Sequence, residues 1–246
     1  MTKIWSDLRR GHLDEAIRSA REEYEASGGV REFRHLACSQ IYASRLQSAC
    51  ATVAEFRSRH RYSTDIDAKI SGTALWLLGN YEGAVREWIG GLHVDYADTA
   101  GGVTVPLHLM FADAMRPETQ DVSEALALMN ERARLARDDN VVAAYVRVAN
   151  GDLTVGELLS LDTRKIEHIQ KEYEWVATFW RGVGEIARGS DDYLRTHLPA
   201  ITELELNDPR IDDEAFFHES AFANKVVSTE YYLALWCDEA LRKDSR

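Results

Sequence analysis

Three observations predict an all-α fold, an α-solenoid of about six helical hairpins with C-terminal capping helices. Apolar residues recur at i, i+3, i+4 and i+7, the spacing of one helix face. Copies of that pattern begin at residues 13, 46, 81, 122, 153 and 193, in steps of 33, 35, 41, 31 and 40. A turn signal precedes each copy, and the 246-residue chain has only four prolines to interrupt helices. Two-helix units of that period cannot bury their apolar faces alone, so they stack on one another.

The best-formed unit lies in LWLLGNYEGAVREWIGGL, residues 75–92. Ile66, Ile70, Ala74, Leu77 and Leu78 mark a first helix; Tyr81, Ala84, Val85, Trp88, Ile89 and Leu92 mark a second. Gly79 and Asn80 between them tolerate the left-handed conformation that ends a helix. Two amphipathic helices joined so closely fold back on each other. Equivalent second helices carry Leu13, Ala16, Ile17 and Ala20; Leu46, Ala49, Cys50 and Val53; and Val122, Ala125, Leu126 and Met129. Fainter copies carry Leu153, Gly156 and Leu159, with Glu157 out of pattern, and Tyr193, Thr196, His197 and Ala200. The third residue after each start is Ala, Ala, Ala, Ala, Gly and Thr. Small side chains there, Ala49, Ala84 and Ala125 among them, are expected at the contacts within hairpins.

Phe33, Leu36, Ala37, Gln40 and Ala49 fall at the spacings of a tetratricopeptide (TPR) repeat, as do Trp180, Val183, Gly184, Ala187 and Thr196, and more loosely Gly72, Leu75 and Ala84. The chain thus resembles TPR-like helical repeat proteins over roughly residues 1–205, with degenerate repeats. The larger residue of the first helix is replaced in most units, and two steps exceed the family period. The resemblance implies a single repeat domain across 1–246 whose first helices build an extended concave face that binds another polypeptide.

Two long steps carry further information. One contains GGLHVDYADTAGGVTVP, 90–106, a connector far longer than a hairpin needs. Leu92, Val94, Tyr96, Val103 and Val105 give it enough apolar surface to stay ordered, folded over one edge with Asp95, Tyr96 and Asp98 displayed. Pro106 suits the first turn of the next helix, which stops before Pro117. The other long step contains Ile166, Ile169, Tyr173, Val176, Trp180, Val183 and Ala187, a helix of ~22 residues suited to a central strut. Pro199 is expected to bend or end the helix after Asp191. Residues 204–215 read as a linker, followed by capping helices at about 213–226 and 229–243, the last with Tyr232, Leu235, Trp236 and Ala240 on one side.

Composition excludes several classes. Net charge is −12, so the surface repels phosphate backbones and draws basic partners. The basic run RSRHR, 57–61, reads as the solvated end of a helix. The tryptophans track core positions, so no nucleic-acid partner is expected. No segment approaches a membrane span, and the charged start lacks a secretory pattern. Cys38, Cys50 and Cys237 read as scattered apolar fillers, so the protein is expected in the cytoplasm, and arginine-rich usage points to a bacterial source.

Little catalytic chemistry is expected, and no cofactor or metal. Gly182, Gly184 and Ala187 have dinucleotide-fingerprint spacing, but inside a helix, where they permit close packing instead. His93 and Asp95, with Asp98 and His108 downstream, could serve as metal ligands or as a base and its orienter; turn formers and caps are the plainer roles. His218 and Glu219 read as the edge of a packed surface. The function expected is therefore non-enzymatic binding of a basic protein, specifically by a stand-alone bacterial immunity protein that neutralises a cognate toxin stoichiometrically. Alternatives are a TPR-type peptide-sensing regulator or secretion chaperone, and an enzyme using 90–106 as its active-site loop. Candidate contact residues are His93, Asp95, Tyr96, Asp98, His108, Asp65, Asp67, Asp138 and Asp139.

Overall fold

The computed structural model describes residues 2–60, 64–162, 167–203 and 225–243, and its regular elements there are all helical. They are α1 (Thr2–Arg9), α2 (Leu13–Ser27), α3 (Val30–Tyr42), α4 (Leu46–His60), α5 (Asp65–Leu77), α6 (Tyr81–Gly90), a 3-10 turn (Gly91–His93), α7 (Thr104–Met115), α8 (Ser123–Leu135), α9 (Val141–Asn150), α10 (Val155–Leu161), α11 (Glu167–Ala187), α12 (Asp192–Thr202) and α13 (Thr229–Lys243). Ile166, Arg61, the linker 204–215, His218 and Glu219 lie outside the described residues, as does all of the expected helix 213–226 except Lys225 and Val226.

Local chemistry explains where helices start. Thr64 and Asp67 form a reciprocal capping box at the head of α5, and Thr154 and Glu157 form another on α10. The Asn80 side chain accepts the Gly83 N–H, while Gly79 takes the left-handed turn at φ 78°. Asn140 caps α9 in the same way.

The expected register holds in the first four units. Ala16, Ala49, Ala84 and Ala125 are all buried at the positions reserved for small residues. In the last two units the register is one residue off. Glu157, the residue out of pattern, reaches back to Thr154 and starts α10 at Val155, so Leu158 turns inward while Gly156 is exposed. In α12 the inward set is Leu194, Leu198 and Ile201. Tyr193 and His197 instead stack on each other 4.2 Å apart, and Thr196 is exposed.

Neighbouring helices in the chain pack in succession, and α5 also touches α3 and α7. The long helix α11 packs on α7, α9, α10, α12 and α13, the strut its length implied. Its glycines serve that role. A methyl group on Gly182 would meet Leu194 at 2.7 Å, and one on Gly184 would overlap the Ala149 carbonyl of α9.

Pro199 does not end its helix. α12 continues to Thr202, because the lost backbone bond falls in the last turns while Leu198 and Ile201 on either side are buried. The final helix also departs from a simple cap. α13 packs on α12, but it reaches back to α3 and α5 as well. Arg34 of α3 donates two hydrogen bonds to the Val227 carbonyl, at 3.0 and 2.8 Å, and the single Tyr232 hydroxyl proton points between the carbonyls of Val226, at 2.6 Å, and Cys38, at 3.0 Å. Trp236 meets Trp76 edge-on at 5.4 Å. Three of the first helices expected to receive a partner, α3, α5 and α11, therefore contact the chain's own last described helix.

Candidate functional site

The connector between α6 and α7 is built around one carboxylate. Asp98 accepts the backbone N–H groups of Ala100, Gly102 and Thr104 at 2.9, 2.8 and 3.1 Å, and the Thr104 hydroxyl at 3.1 Å. Gly101 and Gly102 supply the positive φ angles, 80° and 93°, that let successive amides face it. Leu92, Ala100, Val103 and Val105 are buried beneath. Asp98 is thus the organiser of the loop and not a displayed contact.

Three neighbouring elements hold the loop. From α5, Asp65 is 1% exposed; its backbone N–H donates to the Asp95 carbonyl, and its side chain accepts the Ala97 N–H at 2.8 Å. From α8, Arg132 donates to the carbonyls of Gly102 and Leu92 at 2.7 and 3.2 Å and lies 5.9 Å from the Tyr96 ring. From the head of α9, Asn140 donates to the Thr99 carbonyl at 2.8 Å.

Four of the nine candidate residues accordingly belong to the framework. Asp98 and Asp65 fold the loop. Asp67 is fully buried and pairs with Arg57 at 2.7 Å. Burial alone would lower Arg57, but its bonds to Glu87 and Asp67 outweigh that and hold it above its ordinary range. His108 is fully buried in α7, between the Thr104 carbonyl at 2.8 Å and the Thr229 hydroxyl at 2.9 Å. With Nδ1 donating to that carbonyl, Nε2 is left to accept from Thr229. Burial, aided by Lys69, pushes His108 down to about 4 despite the nearby Glu230. Glu230 is held below its usual value: burial opposes this, and His108, Lys69 and the Ser228 hydroxyl override it. These residues pin α13 to α7.

The other five remain outside. His93, Asp95, Tyr96, Asp138 and Asp139 are exposed, with Tyr96 54% accessible. The bond from Asn140 to Thr99 brings the 138–139 turn beside the loop, so residues some forty positions apart share one edge. His93 and His108 do not converge, since one ring is on the surface and the other in the core. No group of three His, Cys, Asp or Glu side chains able to hold a metal occurs among the described residues. No helix there is long and apolar enough to cross a membrane.

Beside this edge the structure opens a groove of about 350 Å³ that the sequence reading did not anticipate. Ile89, Leu92 and His93 form one wall; Glu124, Ala127, Leu128 and Glu131 of α8 form the other. A signal existed. Leu128 and Leu135 fall off the inward register of Val122, Ala125, Leu126 and Met129, so α8 carries apolar residues on its outer side. A second cleft, about 480 Å³, lies between Tyr81, Arg116 and the α13 residues Trp236, Glu239 and Lys243.

Compared with family models, with curated proteins and with solved structures, the chain matches none.

Proposed function

We propose that the chain is a non-enzymatic protein-binding module of TPR-like helical hairpins, and specifically an immunity protein that neutralises a basic toxin by stoichiometric binding. The observation that carries the reading is the shared exposed edge of His93, Asp95, Tyr96, Asp138 and Asp139 beside the acidic rim of α8. Tyrosine is a favoured interface anchor, and the neighbouring carboxylates of Asp95 and Asp138 suit a basic partner, whereas Asp139 is paired with Arg137. The net charge of −12 acts in the same direction at long range.

A second reading, a peptide-sensing regulator, is favoured by α13. That helix lies against α3, α5 and α11 as a bound peptide would, with Tyr232 and Trp236 as its anchors.

The deciding experiment is co-expression with the product of the gene next to this one, followed by association kinetics. An immunity protein restores growth and binds one to one, and its on-rate falls steeply from low to physiological salt while its off-rate changes little. A neighbour that is harmless alone and does not bind overturns the immunity reading. A salt-independent on-rate overturns the charge argument.

A further inference from the structure

The outer side of α8 is built as a recognition stripe. Glu124, Leu128, Glu131 and Leu135 follow one another at steps of four, three and four, and Ala127 lies beside them. On a helix with 3.6 residues per turn they occupy one band, about 16 Å long. Leu135 is 68% exposed, the most accessible of the large apolar side chains described, and no neighbouring helix covers it. Leu128 is half-buried in the groove, facing Ile89 and Leu92. The inner side of the same helix already packs on α7 and α9 through Ala125 and Met129. The outward leucines are therefore extra to the fold.

The charge pattern says what fits there. Glu124 and Glu131 are exposed, two turns apart, and have no ion-pair partner among the described residues. Elsewhere on this surface the chain pairs its own acids: Glu118 with Arg116, Asp139 with Arg137. The nearest cation on the exposed side of α8, Arg134, stands about 60° further round the helix from Glu131. A row of leucines bracketed by unpaired carboxylates complements a helix with leucines bracketed by cations.

We propose that the α8 groove binds an amphipathic basic helix of the partner protein, with Lys or Arg at i and i+7 and Leu or Ile at i+3 and i+4. Its cations meet Glu124 and Glu131. Its apolar side chains fill the space between Leu128, Ile89 and Leu92, and its far end covers Leu135 and reaches Tyr96. This rests on the reading of the chain as a binder of a basic protein, and it narrows that partner to one displaying such a helix.

The probe is a labelled synthetic helical peptide of about sixteen residues with that spacing, titrated against the full chain by fluorescence anisotropy at physiological salt. A peptide of the same composition but scrambled spacing controls for the overall negative charge. Saturable one-to-one binding is expected, at least tenfold tighter than for the scrambled peptide. It should weaken at least tenfold in Glu124→Lys/Glu131→Lys, and again in Leu135→Ser, all exposed positions whose melts should match wild type. Equal binding of both peptides, or binding untouched by these substitutions, overturns the groove assignment. Failure of the whole-protein reading is separately visible: the neighbouring gene product then does not bind although the peptide does. A gene product that binds the α8 variants as tightly as wild type overturns the groove and leaves the binder reading standing.

Discussion

Replacing Gly184 with alanine tests the close approach of α11 to α9. A Cβ there would overlap the Ala149 carbonyl oxygen and sit 2.7 Å from its carbon and 3.1 Å from its Cα. Ordinary carbon-to-oxygen contact is about 3.3 Å, so α9 and α11 must separate by more than an ångström. The Cβ is fixed by the helix backbone and the atoms it meets are backbone, so no rotamer change relieves the clash. The Ala149 carbonyl also accepts a 2.9 Å bond from Arg188, which separation strains. Against this, alanine improves helix propensity by about 1 kcal/mol over glycine. Overpacking that shifts backbone costs typically ~1–3 kcal/mol, and an overlap this deep lies at the upper end of that range, so a net loss of about 2 kcal/mol is expected. Urea unfolding followed by tryptophan fluorescence measures it, with Gly90→Ala as the control. Gly90 is helical with open space around its Cβ position, so alanine there should stabilise by up to about 1 kcal/mol. Gly184→Ala as stable as wild type would falsify the close contact of α9 with α11.

Other outcomes follow from the same packing. Ala84→Leu should lose roughly 1–3 kcal/mol, since Ala84 is fully buried between α5 and α6; an unchanged urea midpoint would refute the hairpin register. Asp98→Ala should cost about 1–3 kcal/mol by freeing the amides it gathers, and expose 94–104 to limited proteolysis, whereas Tyr96→Ala should leave the melt within about 1 kcal/mol and weaken partner binding. Equal melts for the two variants would remove Asp98 from its organising role. His108 is neutral in the fold, with a value near 4 against an ordinary 6.5, so the unfolded chain takes up the proton first as pH falls. Its contribution is present above about pH 6.5 and is lost progressively toward pH 4, some 3 kcal/mol in all. His108→Asn should flatten that part of the stability-against-pH curve, and an unaltered slope would show that the ring titrates freely.

Much of the fold was legible because it rests on local chemistry. Helix-period apolar residues, the Gly79–Asn80 turn and small residues at Ala16, Ala49, Ala84 and Ala125 are each set by a few neighbouring positions. So was the long strut, whose 3-4 alternation leaves one side apolar for 21 residues. The two misread units failed for different reasons, one local and one tertiary. In 153–159 a capping box outranked the apolar pattern, and in 193–200 two adjacent periodic sets, Tyr193/His197 and Leu194/Leu198/Ile201, compete in the sequence. Only packing against α11 chooses between them.

The candidate site was half legible. An acidic, tyrosine-bearing loop of unusual length could be singled out, but which carboxylates face solvent could not. Asp95 and Asp98 are three residues apart in one loop; one is exposed, and the other is enclosed by amides that Gly101 and Gly102 turn toward it. The sequence by itself therefore determined the helices, their turns and the small residues between them, because 3.6-residue periodicity and capping act within a turn or two. The tertiary structure alone decided that α13 returns to α3 and α5, that His108 is a core pin, and that the 138–139 turn stands beside the loop. Those depend on contacts between residues tens to nearly two hundred positions apart, Arg34 with Val227 and Asn140 with Thr99 among them, which no local pattern encodes.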